Sequence, residues 1–303
     1  MIENTDFKNK KIILDVDTGI DDALAIILLC KHLKDNVIGI TTCGGNVGIQ
    51  QTTKNTLAVL SLLKLDILVF KGSDKPIKKE SYVWATDYHG DDGLCNTNME
   101  TLKIVQKENA QDFIIESAKK YKDNLVLIST APPTNIASAI LKDNSLKNYL
   151  KCVFLMGGAV NVPGNQTEYA EFNFFQDPEA VRIIFENIKN VSIIPLDVTN
   201  KCLIEEKEIE NFNKRDAIGN FVVMAIKNWY GFFGKPKGRK FELYDPLAVS
   251  AALGDFLSFK IVKMDIDTKN DIGALIEGDF SISYAYKVNR KKFVGFFFNS
   301  LKI

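Results

Sequence analysis

The sequence predicts an α/β fold: an open, mainly parallel (mixed), Rossmann-like sheet with helices on both faces. Three observations lead there. Short apolar runs alternate with amphipathic stretches along most of the chain, the βαβα order of a parallel sheet covered on both sides. Polar residues and glycines gather just after the runs, where such sheets bind ligands. The length, 303 residues, suits one large domain, and no linker, repeat or low-complexity tract divides it, so 1–303 reads as a single domain.

In chain order, Lys11–Leu14 reads as a buried strand. The helix Asp21–His32 follows, with Ala23, Leu24, Ile27 and Leu28 on one apolar face. Val37–Thr42 is the next strand and Ile49–Lys64 the next helix. Ile67–Phe70, Leu125–Ser129, Cys152–Met156 and Val191–Pro195 are further apolar runs. Helices are expected near Asp112–Lys122, Asn135–Leu141 and Pro178–Asn187. Ile204–Phe233 reads as mostly helical and turns aromatic toward its end. Lys260–Asp267 and Ser281–Asn299 read as late strands, a peripheral antiparallel addition. The residues that follow the strands are Asp15–Asp22, Gly44–Asn46, Thr130–Asn135, Gly157–Asn165 and Asp197.

Composition narrows the function classes. Lys+Arg and Asp+Glu balance at 38 each, which argues against a nucleic-acid binder that must displace counterions. No apolar run reaches the ~18–20 residues of a membrane span. The N-terminal MIENTDFKNKK lacks a signal-peptide core. Cys30, Cys43, Cys95, Cys152 and Cys202 are scattered and form no CxxC pair, so a zinc site is not expected. Free thiols in a reducing cytoplasm are expected instead.

DVDTGIDD places Asp15, Asp17, Asp21 and Asp22 within eight residues at a strand-to-helix turn. Carboxylates held that close repel one another strongly at low dielectric. A hard cation, Ca²⁺ or Mg²⁺, resolves the repulsion with oxygen ligands. Helix capping accounts for Asp21 or Asp22 but not for Asp15 and Asp17 at the strand end. Gly19 is expected to let the backbone turn tightly, so that Asp17 and Asp22 face one point.

DVDTGIDDALAI resembles the signature of the inosine–uridine nucleoside hydrolase family. TTCGGN (41–46), HGDDGL (89–94), STAPPTNIA (129–137), MGGAV (156–160), AEFNFFQDPEA (170–180), LDVT (196–199) and YDPLA (244–248) follow in that family's order, through most of the chain. The resemblance implies a single nucleoside hydrolase-like domain that hydrolyses the N-glycosidic bond of ribonucleosides to free base and ribose. It implies Ca²⁺ held by Asp17, Asp22, Asp245 and the backbone carbonyl of Thr130. Asp17 would also take the proton of the attacking water, with Asp15 orienting the others and Asp21 holding a ribose hydroxyl. By the same similarity Asn46, Asn165, Glu171 and Asn173 would grip the ribose, and Met156 would line the pocket. Breaking this bond builds positive charge on the sugar, which carboxylates and amide oxygens stabilise. Alternation is expected to point Glu171 and Asn173 the same way around Phe172, whereas Asn161 reads as a turn residue. Implied partners are a small ribonucleoside and further copies of the chain in a homodimer or homotetramer, with no nucleic-acid polymer and no membrane.

The chain departs from the family at the leaving-group side. Many members carry a histidine just before the last metal-binding aspartate, and here that position is Tyr244. A phenol titrates near ~10 and is a weak acid at neutral pH. His89 is either a base contact or a loop-ordering hydrogen bond. Stacking offers a second route. Trp84, Trp229, Tyr230, Phe232 and Phe233 lie in segments able to cover the pocket, with Gly231 and Gly234 as hinges, although core packing explains any one of them equally well. Two other readings of DVD after an apolar strand are a haloacid-dehalogenase-like metal-dependent phosphatase and a non-catalytic ribose- or nucleoside-binding protein. Gly19 two residues after Asp17, where a phosphatase has Thr or Val, fits the first poorly.

Overall fold

The computed structural model describes residues 7–210, 216–232 and 240–301. Its strands are β1 Lys11–Val16, β2 Val37–Thr42, β3 Val69–Lys71, β4 Leu125–Ser129, β5 Cys152–Met156 and β6 Asn190–Ile194. β7 Leu203–Ile204, β8 Phe241–Glu242, β9 Leu257–Ile266, β10 Leu275–Glu277 and β11 Phe280–Val288 complete the set. Nine form one sheet in the order β10-β9-β11-β6-β5-β4-β1-β2-β3. Pairing from β3 through to β11 is parallel, and at the edge β9 pairs antiparallel with both β11 and β10, so that among the described strands of this sheet β9 alone runs against the rest. The mixed, mainly parallel sheet is therefore as expected.

Strand alternation splits the core into two layers. Ile12, Leu14, Val126, Ile128 and Phe154 face one hydrophobic cluster, under the helix Ile20–Leu33. Ile13, Leu125, Leu127, Val153 and Leu155 face the other, under the helices Ala110–Tyr121, Thr134–Lys142 and Pro178–Asn187. Strands buried on both sides need continuous apolar runs, which is why these segments were legible.

One segment differs from expectation. Within Ser281–Asn299 the strand stops at Val288, and Arg290–Leu301 is a helix. Asn289 Oδ1 accepts the Lys292 amide, capping that helix, and Phe293, Phe297 and Leu301 are buried at helical spacing. An unbroken aromatic run hides this period. Ile204–Phe233 is mostly helical as expected, with helices Glu206–Glu210 and Ala217–Phe232 following the two-residue β7. His32 sits where the last helix docks: its Nε2 lies 2.7 Å from Ser300 Oγ, and its ring stacks on Phe296.

The strand order locates the site. The chain winds outward from β1 to β3, then returns to β4 on the other side of β1. The crevice beyond the carboxyl ends of β1 and β4 is the topological switch point of such a sheet.

Candidate active site

Asp15 lies in β1 and joins three neighbours. It accepts hydrogen bonds from Thr41 Oγ1 (2.6 Å), Asn135 Nδ2 (2.8 Å) and Ser129 Oγ (3.0 Å). Burial raises its pKa to about 6 against the pull of these donors. It clamps β1 to β2, β4 and the helix Thr134–Lys142.

The next three aspartates differ. Asp17 Oδ2 accepts the Asn46 amide at 2.7 Å, while its buried Oδ1 has no partner among the described residues. Asp22 caps its own helix through Gly19 N (2.9 Å) and accepts Thr130 Oγ1 at 2.6 Å. Asp21 Oδ1 is buried and likewise lacks a partner. Asp245, in the helix Tyr244–Ser250, sets its carboxyl beside that of Asp21, and, after burial, the nearness of the two raises the pKa of Asp245. Oxygens of Asp21, Asp22 and Asp245 all lie within 4.8 Å of one another. Burial is the first cause of the raised pKa of all four groups, and repulsion from neighbouring carboxylates adds to it, for Asp22 that of Asp15. Asp21 rises to about 8, Asp22 to about 6, and Asp17 and Asp245 well above the ordinary carboxylate range.

These residues fit a cation. Two buried oxygens without a hydrogen-bond partner among the described residues, in a group of crowded carboxyls, are what a cluster shows where a divalent ion would otherwise satisfy it. The tightest group among the described residues is Asp21, Asp22 and Asp245, whereas the family resemblance implies Asp17, Asp22, Asp245 and the Thr130 carbonyl. That carbonyl accepts Asn173 Nδ2 at 2.9 Å.

Two glycines are set by space. A Cβ on Gly45 would fall 2.0 Å from Asp17 Oδ2, and one on Gly19 would fall 2.4 Å from His89 Nδ1. Gly19 has φ −95°, which any residue adopts. Its role is thus to admit His89, not to bend the chain.

Above the cluster opens a cavity of about 410 Å³, of the size that holds a small molecule. Asp21, Asn46, Thr130, Met156, Glu171 and Asp245 line its floor and one side. Asp17 and Asp22 lie beneath, at most 1% exposed. Asn46 Nδ2 bridges the Asp17 carbonyl and Asp22 Oδ2, each at 3.2 Å. Asn173 Nδ2 also reaches the Met156 carbonyl at 3.2 Å. Asn165, on the exposed rim, accepts the Phe172 amide at 2.8 Å. Glu171 is the N-cap of the helix Phe172–Gln176 and accepts the amides of Asn173, Phe174 and Gly158. Burial raises it to about 7. Glu171 and Asn173 do share the cavity, but through a helix start and not through strand alternation. Asp197 accepts from Val160, Asn161 and Tyr284, so it and Asn161 order the loop after β5.

The opposite side is aromatic: Trp84, Tyr88, His89, Phe172 and Tyr244, joined by Glu242. His89 Nδ1 accepts the Ile20 amide at 3.2 Å, and burial lowers its pKa to about 3. The ring is neutral with its proton on Nε2, so it can donate a hydrogen bond but is no proton reservoir. The Tyr244 hydroxyl donates to Asn200 Oδ1 at 3.0 Å. Trp229 corrects an expectation. It is fully buried, with Tyr88, Tyr230 and Phe241 at centroid distances of 5.5, 5.0 and 5.2 Å, and it does not line the cavity. An aromatic residue on an apolar helix face buries more area in the core than over a cleft. The Phe232 side chain, Phe233 and Gly234 lie outside the described residues. Tyr88 and Glu242 escaped sequence reasoning. Tyr88 had a signal in its adjacency to His89, whereas nothing local marks Glu242. Gln176 also went unnoticed: its amide accepts from Val83 N and donates to Val83 O, strapping the Trp84 segment to the ribose-side helix.

Comparison with known proteins agrees with this geometry. The model of the family described as inosine-uridine preferring nucleoside hydrolase matches residues 12–295. The chain is 36% identical over 227 residues to the pyrimidine-specific ribonucleoside hydrolase RihA of Shewanella sp. (strain MR-7), covering 74% of this chain and 70% of that one. It is 32% identical over 238 residues to the pyrimidine-specific ribonucleoside hydrolase RihB of Escherichia coli O157:H7 (strain EC4115 / EHEC), covering 76% and 75%. A solved purine-preferring ribonucleoside hydrolase from Gardnerella vaginalis superposes with a TM-score of 0.91 at 32% identity, over 97% of this chain and 98% of the other. The phosphatase reading falls with these matches. By sequence, by fold and by the cavity above its aspartates, the chain belongs to the inosine-uridine preferring nucleoside hydrolase family.

Proposed function

We propose that this chain cleaves ribonucleosides to free base and ribose by attack of a water whose proton passes to Asp17. The observation that carries the reading is the set of four buried carboxylates, two with partnerless oxygens, beneath a cavity of nucleoside size. Asp17, Asp22, Asp245 and the Thr130 carbonyl would hold Ca²⁺, with Asp21 near enough to share in its ligation. When bound, the ion supplies positive charge that makes a water easier to deprotonate.

The protein's own groups do the rest. Asp17 Oδ1, buried and without a hydrogen-bond partner among the described residues, is available to receive the proton. Glu171 and Asp21 accept ribose hydroxyls, and Asn46, Asn165 and Asn173 frame the ring. Their negative and dipolar oxygens stabilise the positive charge that develops on the sugar. Met156 packs beneath it. On the far side Tyr88, Trp84, Phe172 and Tyr244 hold the base between rings, and His89 Nε2–H donates to it as it departs. With the Tyr244 proton committed to Asn200, base departure depends on these contacts more than on a side-chain acid.

In the same reading the enzyme works in the cytoplasm as a homodimer or homotetramer. Five free cysteines support a reducing compartment, and the family resemblance supports the oligomer. Among the described residues no helix is long and apolar enough to cross a membrane. The test is a panel of purine and pyrimidine ribonucleosides assayed for free ribose and free base, with Asp17→Asn as control. Release by the wild type from none of them sinks the proposal.

A further inference from the structure

One wall of the base half is built by a segment with no regular structure of its own. Between β3, which ends at Lys71, and the short helix Thr86–His89 the chain runs irregularly, and Trp84 from this stretch lines the cavity while 61% exposed. An irregular, half-exposed stretch keeps one position only where other groups hold its backbone. Here the holding groups sit on either side of Trp84. Ala85 N donates to the Asn46 carbonyl at 2.9 Å. Val83 N donates to Gln176 Oε1 at 3.0 Å, and Gln176 Nε2 donates to the Val83 carbonyl at 2.5 Å. One side-chain amide thus pairs both polar groups of one residue, as a neighbouring strand would.

Gln176 is fully buried and does not itself line the cavity. A buried amide is costly without partners, so the pairing with Val83 is strongly favoured. The helix that carries it, Phe172–Gln176, is capped by Glu171 and holds Asn173 three positions earlier, a neighbour on one helix face. The ribose grip and the anchor of the aromatic wall therefore stand on one short element. Two more bonds run alongside. Ile77 N donates to Asp177 Oδ2 at 2.9 Å, and Lys79 Nζ donates to the Phe175 carbonyl.

We propose that Gln176 is a positioning residue: it fixes the Trp84 indole relative to the ribose subsite, so that the ring meets the base of a nucleoside whose sugar Glu171 and Asn173 hold. This rests on the nucleoside hydrolase reading above and deepens it. Sugar and base are joined by a single bond, so a ring registered to the sugar is registered to the base. Contact between rings weakens quickly when one of them shifts or tilts. An anchored ring also loses little freedom when the ligand arrives. Val83 is 48% exposed, so without Gln176 its polar groups turn to water. The loss then falls on the position of Trp84 more than on the fold.

Gln176→Met keeps an unbranched chain of similar length in the buried site and removes both bonds. The test measures KM in the wild type, Gln176→Met, Trp84→Ala and the double variant. The substrate is whichever of uridine, cytidine, inosine and adenosine the wild type cleaves fastest, and KM does not depend on how much of the protein is folded. Gln176→Met is expected to raise KM about three- to tenfold, the worth of one aromatic contact. Where Trp84 is already alanine it is expected to raise KM by less than about twofold. A merely structural role moves KM by the same factor in both backgrounds, and that result overturns the inference. A KM that Gln176→Met leaves unchanged overturns it too. Iodide quenching gives a second readout, since of the two tryptophans Trp84 is exposed and Trp229 is fully buried. In Asp17→Asn, where nucleoside is not consumed, saturating nucleoside is expected to shield Trp84 from iodide, and adding Gln176→Met to lessen the shielding. Absence of shielding in Asp17→Asn overturns the inference whether or not the Gln176 variant folds. If the wild type cleaves a nucleoside and either readout goes against Gln176, the inference alone fails. If all four nucleosides stay intact, the hydrolase reading fails and takes the inference with it.

Discussion

Replacing Asp17 by Asn changes the chemistry of one group while nearly preserving its size. Asp17 Oδ2 accepts the Asn46 amide at 2.7 Å, and an amide oxygen at that position keeps the bond. The Oδ1 site, buried and without a partner among the described residues, becomes an NH₂ that cannot take a proton from water. Loss of a positioned general base costs about 10²–10⁴ in rate, or about 3–5 kcal/mol of barrier. The kcat of Asp17→Asn is therefore expected to fall at least ~100-fold, with KM nearly unchanged because Asn165, Glu171 and Asn173 still frame the ribose. Stability moves the other way. Burial first, and repulsion from Asp22 second, push the Asp17 pKa up, so neutralising the group relieves strain in the ion-free chain. Without calcium the variant should melt at or above the wild type; with calcium the wild type should gain more, because the variant has lost a ligand. A reducing-sugar assay and calorimetry measure both. A kcat close to that of the wild type would refute Asp17 as the base, and a variant that melts well below it in calcium-free buffer would refute the repulsion argument.

Three further outcomes are expected. Exhaustive chelation should stop ribose release and Ca²⁺ should restore it; calcium at about 100 times its Kd should add ~2.7 kcal/mol of stability, or roughly 5 °C in the thermal midpoint, and activity that persists without ions rules the metal role out. Glu171 has its pKa raised by burial from 4.5 to about 7. Its contribution to stability is full below its unfolded pKa and is lost as pH rises through about 7. The shift is worth about 3 kcal/mol, so wild-type stability relative to Glu171→Gln should decline between pH 4.5 and 8; parallel curves would contradict the burial argument. Trp229→Ala removes a fully buried ring and should cost about 3–5 kcal/mol in a denaturant titration, whereas a loss below about 1 kcal/mol would mean the ring is not core.

Sequence reading succeeded where one physical constraint dominates. β2, β4, β5 and the helix Pro178–Asn187 have the bounds read from the sequence, because doubly buried strands and a proline at the first turn leave unmistakable patterns. It failed where two structures satisfy the same pattern. The aromatic run after Val288 serves a helix as well as a strand, and Asn289 decides the matter by capping. Trp229 illustrates the same limit: an indole near a cleft sequence is equally suited to the core, and packing against Tyr88 and Phe241 chose the core.

The aspartate cluster separates what each level determines. The sequence by itself determined that four carboxylates share one strand-to-helix turn, and a need for positive charge follows from Coulomb repulsion alone. It also determined the family, since residue types at fixed spacing are a local property. Tertiary structure decided which oxygens remain unpartnered, because Asn46, Thr130 and Asp245 arrive from segments distant along the chain. It decided that Asp15 spends its lone pairs on Thr41, Ser129 and Asn135. It alone brought Glu242 against Tyr88 across 154 positions of sequence. Hydrogen bonds and burial depend on distance in space, and spacing along the chain encodes that distance only within a turn or a strand.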